Sequence, residues 1–172
     1  CAVLRGGDDG DIISLPDHTS LGKIQMLMWE RGRRECAVNG GMNDEPGAAL
    51  DQALAHLNRA VDYLRMSNQN YLPRALLSRA ARYRLQDRFA LAQQDIDEVL
   101  EVTHRTAMDF YQADAYLEQA SLCLAMSRDT PSEAQLASAA TSLDRAKILV
   151  NHMGYRRRDR QVAWLESKLA SA

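Results

Sequence analysis

A helical pattern that occurs three times constrains this chain more than any other feature. In each copy a small residue is followed four positions later by a bulky one and three positions after that by another small one. The copies are Ala53-Leu57-Ala60, Ala92-Ile96-Val99 and Ala139-Leu143-Ala146. A second pattern places bulky residues three or four positions before Gly32, Ala80 and Ala120. Two antiparallel helices approach closely only where small side chains face the partner, so each pair of patterns predicts one helix hairpin.

Apolar periodicity and breaker residues predict seven helices and no strand. We expect them over about 20–36, 48–66, 73–86, 88–105, 109–124, 131–153 and 159–170. Paired in order, they form hairpins over about 20–66, 72–105 and 109–153, with a capping helix over 159–170. Residues 1–18 read as a flexible acidic tail ahead of a helical domain over 19–172. One hairpin cannot bury its whole apolar face, so each needs a stacked neighbour.

Several residues mark predicted helix ends. Pro73 suits a first turn, and Gly154 suits a left-handed C-terminal cap. Three helices have candidate N-terminal caps, which are Asp87, Asp109 with Gln112, and Thr130-Pro131 with Glu133.

The middle unit resembles the tetratricopeptide repeat (TPR), through Ala80, Tyr83, Phe89, Ala92, Ile96 and Val99. Its spacing of about 40 residues exceeds the usual 34. Longer units of this kind resemble the repeats attached to bacterial multidomain signalling proteins and NTPases, as do the segments 71–80, 95–101 and 154–159. The resemblance implies an all-α fold, a right-handed superhelix of about three antiparallel hairpins with a C-terminal capping helix.

Charge and cysteine content narrow the function classes. The chain of 172 residues has a net charge of −2 and an isoelectric point near 6.1, unlike a basic nucleic-acid-binding domain. Its apolar runs are too short to predict a membrane span. Cys1, Cys36 and Cys123 are too few and scattered for a disulfide framework, which favours free thiols and a cytoplasmic protein. A start at Cys1 favours a fragment of a longer protein, with a lipid-modified Cys1 as the alternative.

The residues do not predict catalysis, a metal site or a cofactor. His18, His56, His104 and His152 lie far apart in the sequence, and Gly40-Gly41 lacks the context of a phosphate-binding loop. Cys123 reads as a buried small residue. We interpret one set of acidic positions as a solvated helix face, namely Asp95, Asp97, Glu98 and Glu101. Three interpretations of the basic cluster stay open, namely a solvated turn, a protein contact or a nucleic-acid contact. The cluster consists of Arg156-Arg157-Arg158 and Arg160.

The sequence therefore predicts a non-enzymatic interaction module that binds a protein or peptide, with neither nucleic acid nor membrane as partner. The alternative is a structural spacer or self-association segment of a larger protein. In TPR-like folds the first helices of the hairpins line a concave groove, which arginines make mildly basic here. The predicted exposed groove residues are Arg74, Ser78, Arg79, Arg82, Asp114 and Glu118. The C-terminal-carboxylate clamp of that family uses Lys and Asn, which the predicted helices over 73–86 and 109–124 lack.

Overall fold

The computed structural model describes residues 46–67, 69–128 and 132–171, with side chains from Leu54 onward. This part of the chain is all-helical. Its helices are α1 (Pro46–Met66), α2 (Leu72–Leu85), α3 (Phe89–Thr106), α4 (Asp109–Met126), α5 (Glu133–Met153) and α6 (Asp159–Ala170). Short 3₁₀ turns over Gln69–Tyr71 and Arg156–Arg158 precede α2 and α6. The predicted tail over 1–18 and the helix over 20–36 lie outside the described residues.

The observed helix bounds agree closely with the periodicity. Helix α6 has the predicted bounds, and α2 to α5 begin and end within about two residues of theirs. Helix α1 starts at Pro46, two residues before the predicted start. Pro73 occupies the first turn of α2, as predicted. Gly154 caps α5 in the left-handed conformation, as predicted, and Tyr155 N–H donates back to the Val150 carbonyl.

The predicted side-chain caps at Asp87 and Asp109 are wrong. Asp87 lies in a left-handed turn with φ of 58°, and its carboxylate accepts a 2.9 Å bond from Arg128. Asp109 is the first residue of α4 and makes no side-chain cap, while Gln112 contacts the ring nitrogens of His104. The tight turns between helices, rather than side-chain oxygens, therefore define these helix starts.

Helix α5 has a different cap from the predicted one. Ser132 is its N-cap residue, in an extended conformation, and Glu133 is the first helical residue. The predicted cap at Thr130-Pro131 lies outside the described residues.

The small residues of the repeated patterns lie where helices meet. Ala80, Ala92, Ala120 and Ala139 are fully buried. The other members of both patterns whose side chains the structure describes are also buried, except Leu77, which is partly buried. Consecutive helices pack against each other from α1 to α6, and α4 also contacts both α2 and α6. One apolar cluster joins Ala80 and Ile96 to Leu122 of the next hairpin. The hairpins therefore share a core, as the repeat pattern predicted.

A left-handed residue follows three of the helices, and one of them has no sequence signal. Asp87, Ala107 and Gly154 have φ of 58°, 54° and 62°. Glycine adopts this conformation freely, whereas the Cβ of alanine meets the following carbonyl oxygen. Ala107 N–H still donates to the Thr103 carbonyl, so the turn closes α3 despite the strain.

Replacing Ala107 by Gly should raise the free energy of unfolding by about 1 kcal/mol, because the substitution removes the Cβ clash. Chemical denaturation would measure the change. The control is Ala140→Gly in the exposed interior of α5, which should lower stability by about 1 kcal/mol. A destabilised Ala107→Gly protein would contradict the left-handed turn.

Candidate functional site

One pocket lies between the first helices of successive hairpins. It has a volume of about 130 Å³ and is lined by Arg74, Leu77, Ser78, Ala81, Tyr111, Asp114, Glu118, Arg158 and Gln161. Four of the six predicted groove residues are among them. A cavity of about 150 Å³ holds one benzene molecule, so this pocket has room for a single side chain.

Helix α2 forms one wall of the pocket. Arg74, Leu77, Ser78 and Ala81 follow the helical spacing that places residues on one face. Ser78 is buried, and its hydroxyl donates to the Arg74 carbonyl at 2.9 Å. Its proton is therefore already committed within the helix, and the wall offers apolar surface and the exposed Arg74 guanidinium.

Helix α4 forms the opposite wall, where two carboxylates are already paired. Asp114 accepts two bonds from Arg158, at 2.6 Å from Nε and 2.5 Å from Nη2. Glu118 accepts a 2.7 Å bond from Arg84 of α2. Burial alone lowers the pKa of Arg158, but the hydrogen bond and charge of Asp114 outweigh it and raise this pKa. These pairs tie α4 to the turn before α6 and to α2.

Arg74 is the lining cation that makes no ion pair among the described residues. It lies in the first turn of α2, and its charge acts on the Tyr111 hydroxyl across the pocket. The other charged groups of the lining neutralise one another or are neutralised by Arg84. Within the part of the chain that the structure describes, the pocket therefore presents one uncompensated positive charge.

An aromatic group surrounds the same end of α2 and α4. Phe110 and Tyr155 make an edge-to-face contact, with ring centroids 5.0 Å apart. Burial raises the pKa of Tyr111, and the nearby Asp114, Tyr71 and Tyr155 raise it further. Tyr71 and Phe110 are more than half exposed, at 55% and 54%. We call Tyr71, Phe110, Tyr111 and Tyr155 the aromatic rim.

Sequence reasoning missed this rim. Its signal was present, because an aromatic residue stands within two positions of the start of α2, of α4 and of the turn into α6. Each of these elements begins on the same side of the domain, so the aromatic residues meet there.

The predicted exposure of the groove residues is wrong for three of them. Ser78, Arg82 and Glu118 are buried, because α2 and α4 pack against each other on this side. Asp114 is half-buried by its contact with Arg158. Arg82 and Arg79 also lie outside the pocket lining.

Arg79 instead belongs to a polar network between helices. Its Nε and Nη2 donate to Asp95 of α3 at 2.8 and 2.7 Å, and Nη1 donates to Asn58 of α1 at 3.3 Å. The side chains of Arg79 and Asp95 are 12% and 4% exposed. The prediction of a solvated acidic face is therefore wrong at Asp95. Burial raises the pKa of Asp95 despite the opposing effect of Arg79. Burial alone lowers the pKa of Arg79, but the hydrogen bond and charge of Asp95 outweigh it and raise this pKa. Desolvation therefore offsets much of the attraction within the pair.

Other candidate groups do not assemble into a site. Within the described residues, no three His, Cys, Asp or Glu side chains come together as metal ligands. Cys123 is buried, as predicted, whereas Cys1, Cys36 and His18 lie outside the described part. Arg156 and Arg157 are exposed, while Arg158 makes the contact with Asp114. Among the helices described, none is long and apolar enough to cross a membrane.

Comparison of the chain with family models, curated proteins and solved structures gives no match. The TPR resemblance therefore stays a prediction, and the pocket and its rim are the features of the structure that bear on function.

Replacing Arg79 by Met should lower the free energy of unfolding by about 3 kcal/mol, because Asp95 then stays buried without its partner. The double variant Arg79→Met with Asp95→Leu should recover to within about 1 kcal/mol of the original protein, since neither charge is then desolvated. Chemical denaturation of both variants would measure this. The control, Arg105→Met, removes an exposed pair with Glu101 and should cost at most about 0.5 kcal/mol. A double variant less stable than Arg79→Met would contradict the buried pair.

Proposed function

We propose that this chain is a non-catalytic protein–protein interaction module. In this proposal it is a TPR-like, right-handed superhelix of hairpins that recognises a peptide or a neighbouring domain. The observation that carries the proposal is the pocket between the first helices α2 and α4 and the start of α6. It combines apolar surface, one free cation and exposed aromatic residues. Tyrosine and arginine around a pocket are the residue types that contribute most to binding energy at protein interfaces.

The spacing of ion pairs between like helices supports a superhelix. Arg65 of α1 binds Glu98 of α3, a separation of 33 residues. Arg84 of α2 binds Glu118 of α4, a separation of 34 residues. The Arg65–Glu98 pair joins the second helices of two hairpins, and the Arg84–Glu118 pair joins the first helices of two hairpins. The sequence separation is nearly the same in both pairs. A regular displacement of each hairpin from the next is what a superhelix of repeats requires.

The resemblance of the sequence to repeats of bacterial signalling proteins suggests the setting. We place the module in the cytoplasm, as part of a larger regulatory protein. In that setting the groove would receive an extended segment of a partner or of a neighbouring domain of the same protein.

The test is a selection of displayed random peptides on the full 172-residue chain, followed by affinity measurement with synthetic peptides. Ala81→Phe should weaken binding of the selected peptides at least tenfold, because the ring fills the pocket. Circular dichroism and thermal unfolding of each variant would confirm that it folds.

The matched control is Ala140→Phe, which adds the same ring to the exposed face of α5 and should leave affinity unchanged. Peptides that bind the original protein and Ala81→Phe equally would contradict recognition through this groove. Sedimentation of the chain alone tests the spacer or self-association alternative, which predicts concentration-dependent assembly and no groove-dependent peptide.

A further inference from the structure

We infer that the groove selects a peptide with a single acidic side chain next to an aromatic residue, the carboxylate binding at Arg74 and the aromatic residue on the rim. This inference rests on the proposed function and specifies the chemistry of its partner. It follows from the charges that the structure leaves unpaired around the pocket, and from the volume and aromatic surface beside them.

The charges of the pocket lining favour binding of an anion at Arg74. Asp114 and Arg158 neutralise each other, and Glu118 is paired with Arg84. Arg74 is exposed at the edge of the pocket, where an incoming carboxylate can form two parallel bonds with its planar guanidinium. A neutral or cationic side chain would leave this charge without a partner in a partly desolvated site.

The same lining argues for one carboxylate rather than a polyanion. The pocket of about 130 Å³ has room for one side chain. The other charged groups of the lining are paired, so among the described residues no unpaired cation is left in the lining for a second negative group. A nucleic-acid strand carries a phosphate at every nucleotide, so this lining disfavours it, whereas an isolated Asp or Glu in a peptide meets the unpaired charge of Arg74.

Tyr111 supplies a second polar contact. Its pKa is raised by burial, so its hydroxyl stays protonated at neutral pH and keeps a proton to donate. It lines the pocket together with Arg74. A carboxylate accepts several hydrogen bonds, and one from a tyrosine hydroxyl adds to those from arginine.

The rim favours an aromatic neighbour. Tyr71 and Phe110 expose more than half of their surface, at 55% and 54%. The ring of Tyr155 is fixed by the edge of Phe110 at 5.0 Å and by Arg158, whose guanidinium carbon lies 5.7 Å from its centroid. Fixed rings lose little conformational entropy on binding, and aromatic pairs contribute beyond the area that they bury. An aromatic residue beside the acidic one can reach this surface while the carboxylate occupies the pocket.

The experiment uses blocked peptides of about ten residues, acetylated and amidated so that the tested side chain is their one carboxylate. A Gly-Ser background carries Glu-Phe, Gln-Phe, Glu-Ala or Lys-Phe at its centre, and affinity is measured by fluorescence anisotropy. Glu-Phe should bind about tenfold more tightly than Gln-Phe and more tightly than Glu-Ala. Arg74→Glu should abolish the preference for Glu and favour Lys-Phe, while the exposed control Arg105→Glu keeps the original order. A labelled deoxythymidine 20-mer serves as the nucleic-acid probe.

Each outcome separates this inference from the proposed function. A preference for Glu-Phe that reverses in Arg74→Glu supports the acidic anchor. Equal binding of Glu-Phe and Gln-Phe, with both lost in Ala81→Phe, overturns the anchor and leaves the groove as a peptide site. Tighter binding of the oligonucleotide than of every peptide, lost in Arg74→Glu, overturns the anchor in favour of nucleic acid. Absence of binding to these peptides and to the displayed library overturns both proposals.

Discussion

The close contact between helices at small residues is the interaction on which the rest of the structure depends. Ala80, Ala92, Ala120 and Ala139 are fully buried where helices of one hairpin or of adjacent hairpins meet. Helix axes approach to within about 8–10 Å only where side chains at the crossing are small. With the helices that close, bulky neighbours such as Ile96 and Leu117 fill the space between hairpins. The groove is a consequence, because it lies between first helices held by these contacts.

Polar pairs add specificity to this apolar frame. Stacked helices with similar apolar faces could slide past one another by a turn at modest cost. The pairs Arg84–Glu118 and Asp114–Arg158 each link two elements at one register, since a shift by a turn would separate the charges. Because desolvation offsets much of the attraction in a buried ion pair, we interpret the role of the Arg79–Asp95 pair as fixing the register rather than adding stability.

The sequence allowed the helices and the core to be predicted because both depend on local spacing. Apolar periodicity located α1 to α6, and the repeated patterns identified residues that are buried in the structure. The caps at Asp87 and Asp109 were not predictable in this way, because a left-handed turn at Asp87 replaces the expected side-chain bond. The burial of Glu118 depends on how α2 and α4 pack against each other. The residue pattern of a single helix carries no information about that packing. The helical domain therefore followed from local signals, whereas the exposure of the site residues followed only from packing.

The residues of the candidate site come from several elements, so peptide binding and folding of the domain are thermodynamically linked. Arg74, Tyr111 and Tyr155 come from α2, α4 and the turn before α6, and no two of them belong to the same helix. A peptide that contacts all three holds the hairpins together, so its binding free energy adds to the stability of their arrangement by mass action. Conversely, the Asp114–Arg158 pair helps to hold the turn carrying Tyr155 against α4 before any partner arrives. The conformational entropy of the site residues is thus largely lost when the chain folds. Binding then costs less entropy, so more of the contact energy contributes to affinity.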